Sequence, residues 1–142
     1  MLKFVEEAEE ANKVACLDTI YSIIGGKNLI GKKFFATEMN GLHFLEYLLK
    51  DVKISKNLKS KALDIMHDLI VNDDGMQFDN PTYVRTTLAD ELNISILLME
   101  ILREEAKDLM NPGGWALRHW ILKVLAKLCQ TSPDIKSTNK TT

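Results

Sequence analysis

One apolar pattern occurs three times in this chain, and a pattern that cannot be buried by one copy alone obliges the copies to stack. The stretches are ACLDTIYSIIGG (Ala15–Gly26), KALDIMHDLIVN (Lys61–Asn72) and WILKVLAKLCQT (Trp120–Thr131). Written under one another without gaps, they place Leu17, Leu63 and Leu122 in one column, Ile20, Met66 and Leu125 in a second, and Ile23, Leu69 and Leu128 in a third. The spacing of three within each copy is helical, not extended.

The neighbouring segments repeat as well. Phe34–Leu49 aligns with Tyr83–Met99 with one extra residue, matching Phe34 to Tyr83, Met39 to Leu88, Leu48 to Leu98 and Leu49 to Met99. Strand alternation is absent, so the chain reads as helices separated by breakers. The predicted helices run from Phe4 to Ile24, ending at Gly25-Gly26; from Asn28 to Met39; from Leu42 to Lys50; and from a Ser55 cap to Asn72-Asp73-Asp74-Gly75. Three more run from Asn80-Pro81 through Leu88, from Glu91 to Ala106, and from Trp115 to Gln130 after the breaker Asn111-Pro112-Gly113-Gly114.

A short, a middle and a long helix thus make one unit. The expected fold is all-α, a right-handed superhelical armadillo-like solenoid of about two and a half three-helix repeats over residues 1–131, with 132–142 as a tail. So short a solenoid is expected to be a fragment or to carry unusual caps. The copies are offset by 46 residues (15 to 61) and then by 59 (61 to 120), the excess falling in the polar segments 72–80 and 103–114.

Composition removes several functional classes. A formal net charge of −2 offers no basic surplus for nucleic acid or an anionic membrane. No apolar run approaches the roughly 18 residues of a membrane span, and the start LKFVEEAEEA is too acidic for a signal peptide. The chain is therefore expected to be soluble, in the cytoplasm or the lumen of the endoplasmic reticulum. Cys16 and Cys129, both in apolar columns, read as buried free thiols.

Catalytic and metal-binding constellations are not evident, and neither an enzyme nor a cofactor is expected. His43, His67 and His119 lie on three different helices without metal-ligand spacing. Asn72-Asp73-Asp74-Gly75 lacks the alternating oxygens and closing glutamate of a calcium loop. Glu6, Glu7, Glu9 and Glu10, and likewise Lys53, Lys56, Lys59 and Lys61, read as solvated charges, and Trp115 and Trp120 as core or cap residues. The sequons Asn93-Ile94-Ser95, inside a predicted helix, and Asn139-Lys140-Thr141 are read as chance.

What remains is a surface. Stacked units expose a concave face lined by the long helices, which such proteins use for binding. The positions outside the apolar columns are Asp18, Asp64 and Lys123, then Ser22, Asp68 and Lys127, with Ser60 and His119 one turn earlier. These eight residues form the candidate partner-binding set, acidic in the first two copies and basic in the last. A merely solvated polar face would contain the same residues.

The pattern KALDIMHDLI resembles the armadillo signature, although Ser22, Asp68 and Lys127 stand where many armadillo grooves hold the asparagine that clamps peptide backbone. More narrowly, KKFFATEMNGLHFLEYLLKDVKISKNLKSKALDIMHDLIVND, followed by a polar insertion and a helix pair ending ILKVLAKLCQ, resembles the armadillo nucleotide-exchange factors of DnaK-type heat-shock chaperones, over about residues 11–130. That family has cytosolic members and an endoplasmic-reticulum relative, and the insertion looks closer to the latter. The resemblance implies a protein partner, the chaperone's ATPase domain, whose ADP release the curved surface would accelerate. A generic armadillo scaffold for a peptide or a small GTPase is the competing expectation.

Overall fold

The computed structural model describes residues 10–76, 82–108, 110 and 114–129, and within them the chain is all-helical, without a strand. Seven α-helices follow one another: α1 (Glu10–Ile24), α2 (Leu29–Ala36), α3 (Gly41–Lys50), α4 (Lys56–Val71), α5 (Tyr83–Thr86), α6 (Ile94–Ala106) and α7 (Gly114–Cys129). A 3-10 turn, Asp74–Met76, follows α4, and a wider π-type turn, Thr87–Glu91, prolongs α5. The predicted start at Phe4, the Asn80-Pro81 start, the Asn111-Pro112-Gly113 breaker, the tail and the second sequon lie outside the described residues.

Local chemistry sets the boundaries. Gly26 adopts φ +63 after α1, a conformation open to glycine at no steric cost. Asn28 ties two helices: its Oδ1 accepts from Gly31 N at the start of α2, and its Nδ2 donates to Ile23 O at the end of α1. The Ser55 hydroxyl accepts from Leu58 N, capping α4 as the sequence predicts. Asp73 is buried and its carboxylate accepts from Val84 N and Arg85 N, at 3.0 and 3.1 Å. This acid from the loop after α4 thereby satisfies the opening amides of α5.

The middle helices both start from a left-handed asparagine, Asn40 (φ 55) before α3 and Asn93 (φ 51) before α6. These are the two positive-φ residues other than glycine among the described residues. They correct the predicted alignment of the middle helices. Setting Asn40 over Asn93 pairs Leu45 with Leu98, both fully buried, and Phe35 with Leu88, also both buried. The predicted match of Leu49 to Met99 fails, because Leu49 is buried and Met99 exposed. Of the first sequon, Asn93 stands at the N-cap of α6 and Ile94 and Ser95 lie in its first turn.

Size exchange accompanies this equivalence. A Cβ on Gly41 would lie 2.3 Å from the Phe35 ring, so glycine makes room for phenylalanine in one unit. At the second asparagine the equivalent residues are Ile94 and Leu88, both fully buried and both of middle size.

The long helices form the spine. Helix α4 packs against α1 on one side and α7 on the other. Asp18 meets Lys61 and Tyr21 meets Asp64, so α1 and α4 run in the same direction. Lys56 and Arg118, near the starts of α4 and α7, converge on Glu105, so these two helices are also co-directional.

Burial follows from that order. Helix α1 buries Leu17, Ile20 and Ile24, whose equivalents in α4 are Leu63, Met66 and Ile70. Helix α7 buries Leu117, Ile121 and Val124, whose equivalents are Leu58, Ala62 and Ile65. All six equivalents in α4 are buried. The central helix has a row neighbour on each flank and buries both sets, whereas each outer helix has one row neighbour and buries one set.

Two of the three predicted columns therefore break at the ends of the row. Ile23 is 59% exposed and Leu122 55%, although Leu63 and Leu69 in α4 are buried. Cys129 is exposed and Cys16 half-buried, both as free thiols, which corrects the expectation of two buried ones. Trp115, read as core or cap, is 70% exposed on the outer flank of α7. The cause is the same in each case: no described helix lies beyond α1 or α7.

Candidate functional site

The candidate residues all belong to the row of α1, α4 and α7, and most share its outward face. Asp18, Ser22 and His119 are exposed, and Asp64, Asp68, Lys123 and Lys127 are half-buried. Ser60 departs from the set. It is buried, with its hydroxyl donating to Lys56 O one turn back, so it presents no surface to a partner.

Two seams divide the face. Between α1 and α4, Lys61 Nζ donates to Asp18 Oδ1 at 2.8 Å, and the Tyr21 hydroxyl hydrogen-bonds the Asp64 carboxylate. These residues, with Leu17 and Ile65, line a cleft of about 180 Å³. Burial pushes the Asp64 carboxyl above the usual carboxylate range, and the charge of Asp68 adds to the shift; Lys123, Lys61 and Tyr21 pull it back. Burial likewise raises the Tyr21 phenol, reinforced by Asp64 and Asp68.

Between α4 and α7 the seam is aromatic and cationic. The Trp120 ring is met edge-on by His67 and by His119, each at 5.7 Å between centroids. Lys123 Nζ lies 4.5 Å over the same ring, a cation–π contact. Burial lowers the His67 pKa, and the adjacent Lys123 and Lys127 lower it further, against the opposing pull of Asp68. The face therefore passes from a pair of carboxylates and a phenol to two imidazoles, an indole and two lysines.

Asp68 has a second task that its column position does not disclose. Its Oδ2 accepts from Lys32 Nζ at 2.6 Å, and Lys32 is fully buried on α2. The same ammonium donates to Ile24 O, the last carbonyl of α1. Lys32 thus joins three helices, and its charge lies where the α1 dipole favours a cation.

Glu105 is the other buried hub. It sits in the apolar stripe of α6, yet its Oε2 takes Lys56 Nζ at 3.0 Å and lies 3.9 Å from Arg118 Nη1. A Cβ on Gly114 would come within 2.6 Å of that oxygen, so the carboxylate abuts the start of α7. Sequence reasoning missed both hubs. The available signal was a charged residue at a buried register position: Lys32 three residues before Phe35, and Glu105 in line with Ile94, Leu98 and Ile101.

Among the described residues, no group of histidine, cysteine, aspartate or glutamate side chains could hold a metal ion, and no helix is long and apolar enough to cross a membrane. The arrangement offers fixed charges and an aromatic platform on a rigid row of helices, which suits recognition of a complementary surface. No family model, curated protein or solved structure matches the chain.

Proposed function

We propose that the chain is a protein-binding module, with an armadillo-like stacking of three-helix units, whose partner docks on the outward face of α1, α4 and α7. The observation that carries this reading is the ordered charge along the face: Asp18 and Asp64 at one seam, Lys123 and Lys127 at the other. Asp64 adds weight, because an acid whose charge is disfavoured by burial and by Asp68 is poised to gain from a partner's cation. Trp120, half-buried in the seam between α4 and α7, would serve as the aromatic anchor common at interface centres.

The sequence resemblance selects the partner: the ATPase domain of a DnaK-type heat-shock chaperone, with faster ADP release as the effect. Binding accelerates release only if the face grips the open ATPase domain more tightly than the closed one. Release of a fluorescent ADP from purified cytosolic and lumenal chaperones is the test. Acceleration that disappears with Asp64→Lys or with Lys123→Glu supports the reading. No acceleration by either chaperone at saturating protein sinks it. The second reading, a scaffold holding a peptide or a small GTPase, draws on the same face and survives that result.

A further inference from the structure

The row of long helices ends differently at its two sides. Along the outer flank of α1 lie Asn12, Ala15, Cys16 and Thr19, small or polar residues in the positions where α7 carries Leu117, Trp120, Ile121 and Val124. Along the outer flank of α7 lie Trp115, Leu122, Ala126 and Cys129, all exposed. The corresponding flank of α4 includes Leu63 and Ile70, which are fully buried.

From the contacts already repeated within the row, we infer that the outer flank of α7 is a docking edge for an amphipathic helix of a partner protein, laid alongside α7 in the same direction. The geometry prescribes that helix. Each helix of the row meets its predecessor through apolar residues at i, i+4 and i+7: Leu58, Ala62 and Ile65 in α4, and Leu117, Ile121 and Val124 in α7. The residue at i+3 sits beside the outward-face position of the predecessor, as Lys61 sits on Asp18. At the open edge that outward-face position is Lys123, so the docking helix needs Asp or Glu at i+3.

Charge separates this occupant from the others. Helix α7 carries Arg118, Lys123 and Lys127 and no carboxylate, so a second copy paired through its own α7 would set lysines against lysines. A second copy presenting its α1 would offer the polar flank just described. The chain's own residues 130–142, QTSPDIKSTNKTT, contain a single aliphatic residue, Ile135, and cannot supply an apolar stripe. The inference rests on the edge of the row, so it stands or falls separately from the identity of the partner on the face.

The probe is a fluorescein-labelled peptide of residues 55–71, helix-stapled on its polar side and carrying Lys61→Glu, titrated against the full chain. The Lys61→Glu peptide should bind about threefold to tenfold more tightly than the same peptide with Lys61 retained, the range expected of one interfacial ion pair. Lys123→Glu in the protein should invert that preference. Leu122→Asp should weaken binding at least about tenfold while leaving the melting temperature in place, since this leucine is mostly exposed in the free chain and the docked helix would bury it. A peptide with Leu58→Ser and Ile65→Ser should not bind.

Absence of saturable binding overturns the proposal, as does binding indifferent to Leu122→Asp or to the charge at 123. A dimer seen by light scattering and dissolved by Leu122→Asp assigns the edge to a second copy and overturns it too. So does peptide binding that emerges only after residues 131–142 are deleted, which would give the edge to the chain's own tail.

Discussion

Asp64 holds its charge against its surroundings, and that conflict separates binding from stability. Because the folded state favours its protonated form, ionisation near neutral pH weakens the fold. Asp64→Asn should therefore leave the melting temperature unchanged or raised, while lowering affinity for a partner on the face; a lowered melting temperature would count against the burial argument. His67 works in the opposite sense on acidification. Its folded pKa lies below the unfolded value of 6.5, so the unfolded chain takes up the proton first. Stability should fall as pH drops below about 6.5 and on through the folded pKa, and His67→Gln should blunt that slope in melts run between pH 5 and 7.5. Asp68 differs from both. Asp68→Ala strands the buried Lys32 ammonium and should cost roughly 3–5 kcal/mol, whereas Lys32→Met with Asp68→Leu should be near neutral, both read by urea unfolding. The face residues were legible in the sequence because an outward position follows from helical spacing alone. Lys32 and Glu105 were not, because their value lies in what they reach on other helices, and spacing within one helix carries no such information.

At the scale of elements, chain reversals are set by single residues. Asn40 and Asn93 hold left-handed conformations that other non-glycine residues adopt at a cost of about 1–2 kcal/mol. Asn40→Gly should be tolerated and Asn40→Val should destabilise by at least about that amount, measured by thermal melts. Gly41→Ala should cost roughly 1–3 kcal/mol, because the added methyl would press on the buried Phe35 ring. Helix existence was readable almost throughout, since amphipathic spacing and caps such as Ser55 agree. The register between the second and third units was not. Apolar residues at three- and four-residue spacing align tolerably at several offsets, and the correct offset is fixed by backbone conformation at two asparagines, one followed by glycine and one by isoleucine. The π-type turn from Thr87 to Glu91 was likewise invisible: Leu92 N reaches Thr87 O instead of the carbonyl four residues back, a choice that side-chain pattern does not encode.

At the scale of the whole molecule, α4 is the keystone, as it carries the apolar sets of both outer helices at once. Its amides should be the slowest to exchange with deuterium, ahead of those of α1 and α7; faster exchange in α4 than in α1 would contradict the order of packing. The column alignment foresaw the row but treated its members as equal. Inequality at the ends comes from neighbours, which a single sequence does not display, and so Ile23, Leu122 and Cys129 were misplaced. Repetition also suggests that the molecule could be cut between units, and Lys32 forbids it. Its ammonium closes the end of α1 from a position on α2 and finds its counter-ion only on α4. A fragment ending before Ser55 would confine a cation without its anion and lose the central helix itself. A chain that can be written as copies is thus tied across them by one buried cation.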